Sequence, residues 1–228
     1  MSDQVEQWIG ELLNMYDGND KMTEKQIKVL AAAVEVFSEK GFAAASTSEI
    51  AQKAGVAEGT IFRHYKTKKD LLLSIVAPMM SKLLAPFVLR DFVKVLDVPH
   101  TRFEEFIRAV MKNRVEFVKK HLPVLKILVQ EIPFHPELRE QFKEHVANKL
   151  LERVVPIIER YQAAGQIVRL PPLSVIRLTA STVIGFLFAR YFLAPESDWD
   201  DEAEIETTIR FIMHGLAVEP KSPNPTGN

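Results

Sequence analysis

The sequence predicts an all-α protein, and three observations predict it. Apolar residues recur at intervals of about 3.6 along most of the 228-residue chain. Sustained alternation of apolar and polar residues is missing, and no Asn-Gly or Asp-Gly turn separates β-branched runs. Glycine and proline stand at the borders of the periodic segments, as at Gly41, Pro136, Gly165 and the Pro171-Pro172 pair.

Residues 1–21 come first. Val5, Trp8, Ile9, Leu12 and Leu13 fit an amphipathic helix that is acidic on its other face, and an unstructured arm fits equally well. In the segment 23–40, Ile27, Leu30, Ala31, Val34 and Phe37 form one apolar stripe, and Gly41 stands where a C-terminal cap belongs. Three short segments follow, to near residue 81, and beyond Pro86 the helices lengthen. Thr101 with Glu104 reads as a capping box for a helix over 102–121, and a shorter helix fits 123–132. Pro136 suits the first turn of a long helix ending before Gly165, with a kink expected at Pro156.

Pro171 and Pro172 introduce an apolar helix over 173–193. The acids Asp200, Asp201 and Glu202 favour the start of a last helix through its dipole, with a stripe of Ile205, Ile209, Ile212, Met213 and Leu216. The tail from Glu219 is proline-rich and is expected to be disordered. No internal repeat is visible. The domains expected are an extension over 1–21, a small helical domain over 22–67, a larger one over 68–218 and a tail over 219–228.

Composition removes several function classes. Without cysteine there is no disulfide scaffold, thiolate catalysis or cysteine-ligated zinc. The first twenty residues lack the basic and apolar regions of a secretory signal, so a cytoplasmic protein is expected. Arg177 and Arg190 leave twelve uncharged residues between them, short of the ~20 that span a bilayer, so a buried helix rather than a membrane partner is expected there. Enzyme signatures are missing, among them His-Glu-x-x-His, Gly-x-Ser-x-Gly and a phosphate-binding glycine loop. His121, His135, His145 and His214 are scattered without ligand spacing, and no cofactor or metal is expected. The net charge of -1 conceals a local excess: residues 1–20 carry five acids and no Lys or Arg, residues 21–82 carry ten bases against six acids, and the rest carries nineteen of each. A short basic segment suffices for phosphate, because screening confines the interaction to about 10 Å.

That basic segment holds the most informative stretch, Ser46 to Leu71. Ser46 and Glu49 form a capping box for a short helix. Counting from Thr47, apolar Ile50 is fourth, Ala51 fifth, Ala54 eighth, Gly55 ninth and Ile61 fifteenth. Each place has a steric reason. Ala51 must be small where a second helix crosses it, and Gly55 supplies the left-handed backbone that reverses the chain. Val56 and Ile61 close the small core. The spacing is that of a helix-turn-helix over residues 46–65.

From the first helix through Gly-Thr-Ile-Phe-Arg-His-Tyr-Lys-x-Lys-x-x-Leu at 59–71, the sequence resembles the TetR family of one-component transcriptional regulators. The resemblance covers residues 23–77; the rest agrees only in architecture. It implies that the helix from Ala57 to Tyr65 enters the major groove of operator DNA, with base contacts from Ala57, Glu58, Gly59 and Thr60. It further implies an aromatic ring against DNA at Phe62, phosphate contacts at Thr47, Ser48, His64 and Lys68, and Arg63 beside them. Two residues depart from the pattern. The aromatic place is commonly Tyr, so Phe62 lacks a phosphate-binding hydroxyl and keeps apolar contact, as with a thymine methyl. Glu58 is an acid facing the groove, where it either accepts from a cytosine amine or repels the backbone.

The resemblance also implies that the larger half binds a small effector and dimerises through its last two helices, usually in a repressor. A helix that is apolar nearly all round needs a second buried face, which supports a homodimer independently. The expected interface takes Val183, Ile184, Phe186, Leu187, Arg190 and Tyr191 from one helix and Ile209, Ile212 and Met213 from the next. An effector cavity is expected among the middle helices: Phe103, Phe106, Ile107, Val110, Met111, Arg114 and Phe117, then Leu125, Leu128 and Val129, then Phe142. Such a lining fits an apolar or amphiphilic molecule. The expected control is a population shift, in which ligand favours a dimer whose recognition helices no longer match grooves about 34 Å apart. The helix over 67–77 is the natural lever. The competing reading is an apolar-ligand carrier or interaction module that does not bind DNA.

Overall fold

The computed structural model describes residues 22–78 and 92–216, together with Gly10. The expectations for the extension over 1–21 and the tail over 219–228 lie outside the described residues. Within them the protein is all-α, and it divides into two compact units that the chain visits alternately. The first holds residues up to 91 and 116–149; the second holds 92–115 and everything from 150 onward. This division differs from the expected boundary between 67 and 68, because the helix from Lys68 and the segment 116–149 group with the helix-turn-helix.

In the first unit, α1 (Glu24–Ala44) starts at a full capping box that the sequence reading missed. Thr23 Oγ1 accepts from the Gln26 amide at 3.3 Å and Gln26 Oε1 accepts from the Thr23 amide at 2.8 Å. Val29, Leu30, Ala33, Val34 and Phe37 are buried along its stripe. Gly41, at φ 76° and ψ 162°, breaks the helix before a last turn. Next come α2 (Thr47–Ala54), α3 (Glu58–His64) and α4 (Lys68–Pro78). Ser46 caps α2 by accepting from the Glu49 amide at 3.1 Å, while the Glu49 carboxylate turns to Lys40 at 2.5 Å. Half of that capping box therefore forms. Thr67 and Asp70 make a reciprocal one for α4, each bond 3.0 Å.

The remainder of this unit comes from the end of α5 (Phe103–Glu131), from α6 (Pro136–Phe142) and from a π-helical turn over Lys143–Ala147. Two helices were expected over 102–132. They form one path, broken at His121 (φ -115°, ψ 18°) two residues before Pro123. The π-helical turn continues directly into α7 (Asn148–Ala163), so the expected long helix after Pro136 carries an irregular turn at 143–147 in addition to Pro156 inside α7.

The second unit is pinned by one glutamine. Gln166 Oε1 accepts from the Phe103 amide and its Nε2 donates to the Thr101 carbonyl, both at 2.8 Å. This bracket replaces the expected Thr101–Glu104 capping box; Glu104 pairs instead with Arg102 and Arg108. Phe103, Phe106 and Tyr161 pack ring against ring, and the Tyr161 hydroxyl donates to the His100 carbonyl at 2.9 Å. Burial pushes the Tyr161 phenol above its ordinary range. The chain continues into α8 (Pro172–Phe188), a second π-helical turn over Ala189–Leu193 and α9 (Asp201–Gly215). Asp200 caps α9 by accepting from the amides of Glu202 and Ala203.

Candidate DNA-binding face and effector cavity

The helix-turn-helix is closed by its glycine. Gly55 takes φ 66° and ψ 34°, its amide reaches Ala51 and Gln52, and the Val56 amide donates to the Ala51 carbonyl at 3.0 Å. That is a Schellman turn, which reverses the chain within a few residues. Ile50, Ala51 and Ile61 are buried beneath it. The recognition helix α3 is seven residues long, and its burial pattern leaves one face outward. Ala57, Glu58, Gly59, Phe62, Arg63 and His64 are exposed, Ser48 beside them is exposed, and Thr60 is half-buried. Phe62 is the informative member: a large ring on a small domain, 47% exposed, with the core filled by Ile61 next to it.

Two predicted contact residues hold each other. Thr47 Oγ1 donates to Glu58 Oε1 at 2.6 Å. A threonine hydroxyl has a single proton to donate, so Thr47 serves Glu58 or a phosphate, and the exchange costs the first bond. Lys68 is also engaged, though it was expected at a phosphate. Its ammonium donates to the carbonyls of Phe42 at 2.7 Å and Ala45 at 2.8 Å, has Ala43 at 3.4 Å, and lies 4.5 Å from the centre of the Phe42 ring. An ammonium has three donors, and three carbonyls surround this one. Lys68 thus clasps the start of α4 onto the end of α1.

The same corner continues into the segment 116–149. The His135 ring meets Phe42 edge-on at 5.7 Å and its Nε2 lies 3.2 Å from Glu131 Oε2. Lys69 pairs with Glu137 at 2.9 Å, which holds the Glu137 carboxyl below its usual range. Behind α2, Lys53 pairs with Glu35 at 2.9 Å, and the bond keeps its ammonium above the ordinary lysine range.

In the second unit lies a cavity of about 240 Å³. Phe92, then Phe106, Ile107, Val110 and Arg114 of α5, line one part of it. The rest is α7 (Leu150, Leu151, Val154, Ile158) and α8 (Ile176, Thr179, Ala180, Val183, Ile184, Leu187). Four of the eleven expected lining residues are there: Phe106, Ile107, Val110 and Arg114. Phe103 and Met111 are packed away in the core, and Phe117, Leu125, Leu128, Val129 and Phe142 belong to the other unit. The α7 residues had a signal, a helical stripe at 150, 151, 154 and 158, which the sequence reading did not single out.

Helix α8 explains both the missed lining and the expected interface. At 3.6 residues per turn it has three apolar sides rather than two. Ile176, Ala180, Val183 and Leu187 face the cavity, while Val175 and Phe186 are buried on another side. Leu173, Ser181, Ile184 and Phe188 form an exposed row, with Leu178 and Gly185 beside it. Of the nine residues expected at a dimer interface, Val183, Phe186, Leu187, Tyr191, Ile209 and Ile212 are buried within the chain itself. Met213 is half-buried, and Arg190 is bound to Asp201 at 2.7 Å and to the Pro195 carbonyl at 3.1 Å. Only Ile184 lies in the exposed row, at 61% exposure; on α9 the outward ring is Phe211, at 69%. By length and composition alone, Pro172–Leu193 would cross a membrane, but the exposed row also carries Arg177.

Residues 29–75, which contain the whole helix-turn-helix, match the family model for bacterial regulatory proteins of the tetR family. In this segment the chain is a TetR-family regulatory protein. It is 41% identical over 58 residues to the fatty acid metabolism regulator protein of Bacillus subtilis (strain 168), a match spanning 25% of this chain and 30% of that protein. To the HTH-type transcriptional activator FasR of Mycolicibacterium smegmatis it is 24% identical over 198 residues, 86% of this chain and 85% of FasR. The crystal structure of the transcriptional regulator FadR from Bacillus subtilis in complex with stearoyl-CoA shares the fold, with a TM-score of 0.57 over 83% of this chain and 98% of that one at 22% identity.

The resemblance to the TetR family is unevenly distributed along the chain. The family model ends at residue 75, so the cavity and the exposed row of α8 stand on their own geometry.

Proposed function

We propose that the protein is an operator-binding transcriptional regulator, a repressor where its operator overlaps a promoter, and that an acyl chain or similar amphiphile in the second-unit cavity releases it from DNA. The observation that carries the DNA reading is the outward face of α3, with the exposed Phe62 ring beside Arg63 and His64. The ring stands on the outward face of the second helix of the helix-turn-helix, where it offers apolar contact, and a thymine methyl is a suitable partner. The cavity supports the effector reading through its chemistry, since thirteen of its fifteen lining residues are apolar. The complex of FadR with stearoyl-CoA and the fatty acid regulator among the relatives point the same way.

Two copies are proposed to join through the exposed sides of α8 and α9, around Leu178, Ile184, Phe188 and Phe211, where Ser181 and Gly185 permit close approach. The dimer would place two recognition helices on successive major grooves, about 34 Å apart. A duplex enriched from a random pool by this protein should then carry two inverted half-sites. Its affinity should fall steeply with salt, because each neutralised phosphate contributes about -0.9 to the slope of log K against log salt. Fluorescence anisotropy reads both. Salt-independent binding with no enriched sequence overturns the reading in favour of a ligand carrier.

A further inference from the structure

One acid stands among the bases of the recognition helix. Glu58 is the only acid between Ala57 and His64, and it is exposed, as are Arg63 and His64. A carboxylate on a surface that approaches phosphates weakens binding to every duplex, so any gain it brings lies in telling one duplex from another.

The acid is held in place and has room in front of it. Thr47, the first residue of α2, donates from Oγ1 to Glu58 Oε1 at 2.6 Å. A surface glutamate otherwise moves among several rotamers; here one carboxylate oxygen is fixed against the opening turn of the neighbouring helix. The residues on either side of Glu58 are small, Ala57 and Gly59, and both are exposed. Gly59 has a negative φ, and a methyl group added to it would meet nothing within 4 Å. Neither backbone conformation nor packing asks for a glycine there, and glycine inside a helix weakens it relative to alanine. What the missing side chain does provide is close approach for a group from outside the chain.

We infer that Glu58 reads a cytosine in each half-site and that Thr47 is the residue that positions it, a reading that rests on the outward face of α3 meeting the major groove. An ionised carboxylate accepts hydrogen bonds and donates none. In the major groove cytosine presents a lone donor, its N4 amine. Adenine sets the N7 acceptor beside its N6 amine, guanine presents two acceptors and thymine one. The lone pairs of Glu58 thus meet a proton on cytosine and opposing lone pairs on the other three bases. Enclosed against the wrong base, the carboxylate would lose water and gain no partner, which sharpens the choice. Thr47, whose single proton is already given to Glu58, acts through the carboxylate rather than at a phosphate.

The test enriches duplexes from a random pool with the full-length native protein and with Glu58→Gln, Glu58→Ala, Thr47→Val and Thr47→Ser. Anisotropy at fixed salt then compares the enriched sequence with its three single-base alternatives. The native protein should require cytosine at one symmetric position of each half-site and bind the other bases about tenfold more weakly there. Glu58→Gln should move the preference to adenine, because a side-chain amide meets N6 and N7 together. Glu58→Ala should accept all four bases at that position and leave the rest of the half-site unchanged. Thr47→Val, which keeps the shape and removes the hydroxyl, should flatten the cytosine preference, and Thr47→Ser should retain it. If Glu58 only repels the DNA backbone, both Glu58 variants bind every duplex more tightly and enrich the native sequence, which overturns the reading. A Thr47→Val protein weakened by the same factor on all four bases overturns the positioning role of Thr47. If the native protein enriches no sequence, the DNA-binding reading itself falls.

Discussion

Phe211→Glu is expected to convert the protein from dimer to monomer and to weaken its binding to a two-half-site duplex by roughly a hundredfold or more. Phe211 is 69% exposed on α9 and lines no part of the cavity, so the substitution leaves the second unit's interior intact. In the proposed dimer the ring is covered by the partner, and a carboxylate there would be buried without a counter-charge. A monomer then engages one half-site and loses the gain from the second, which for linked sites reaches about 10² to 10⁴. Sedimentation velocity measures the first consequence and anisotropy the second. A dimer that survives the substitution with unchanged operator affinity removes the exposed sides of α8 and α9 as the interface.

Lys68→Met separates two roles that a sequence motif cannot tell apart. If the ammonium holds the end of α1 through the carbonyls of Phe42 and Ala45, the variant should lose about 1–3 kcal/mol of stability, since hydrogen bonds to charged groups are worth that much. DNA affinity would fall with it, and the salt slope would stay as it was. A phosphate contact predicts the reverse: unchanged stability, with the slope reduced by about one. Denaturant unfolding paired with a salt series decides between them, and an unaltered unfolding midpoint would refute the clasp.

The helix-turn-helix was legible because its constraints are local. Ser46, Ala51, Gly55 and Ile61 each answer a steric demand set within fifteen residues, and the backbone at Gly55 meets it with φ 66°. The helices of the second unit were legible from periodicity, and their caps less so. Glu104 was expected to cap its helix, but a glutamine more than sixty residues away took the free amide of Phe103. Such tertiary capping leaves no mark on neighbouring residues.

The cavity and the outward side of α8 were illegible for a related reason. Periodicity says that α8 is apolar on every side, and does not say which side faces solvent, cavity or core. Ile184 and Val183 are adjacent and chemically alike, yet one is 61% exposed and the other 6%. Lys68 and Glu58 show the limit within the motif itself. Both were read as facing DNA by their place in the pattern, and both have partners inside the protein that the pattern does not specify.

The most direct test of the account is the operator affinity of the native protein measured with and without a bound acyl chain. A labelled duplex carrying the enriched two-half-site sequence is titrated with protein in the absence of ligand and in saturating decanoate. The account predicts a weaker complex with ligand present and, by linkage, weaker decanoate binding to the operator-bound protein by the same factor. Decanoate that binds the protein and leaves operator affinity unchanged would contradict it.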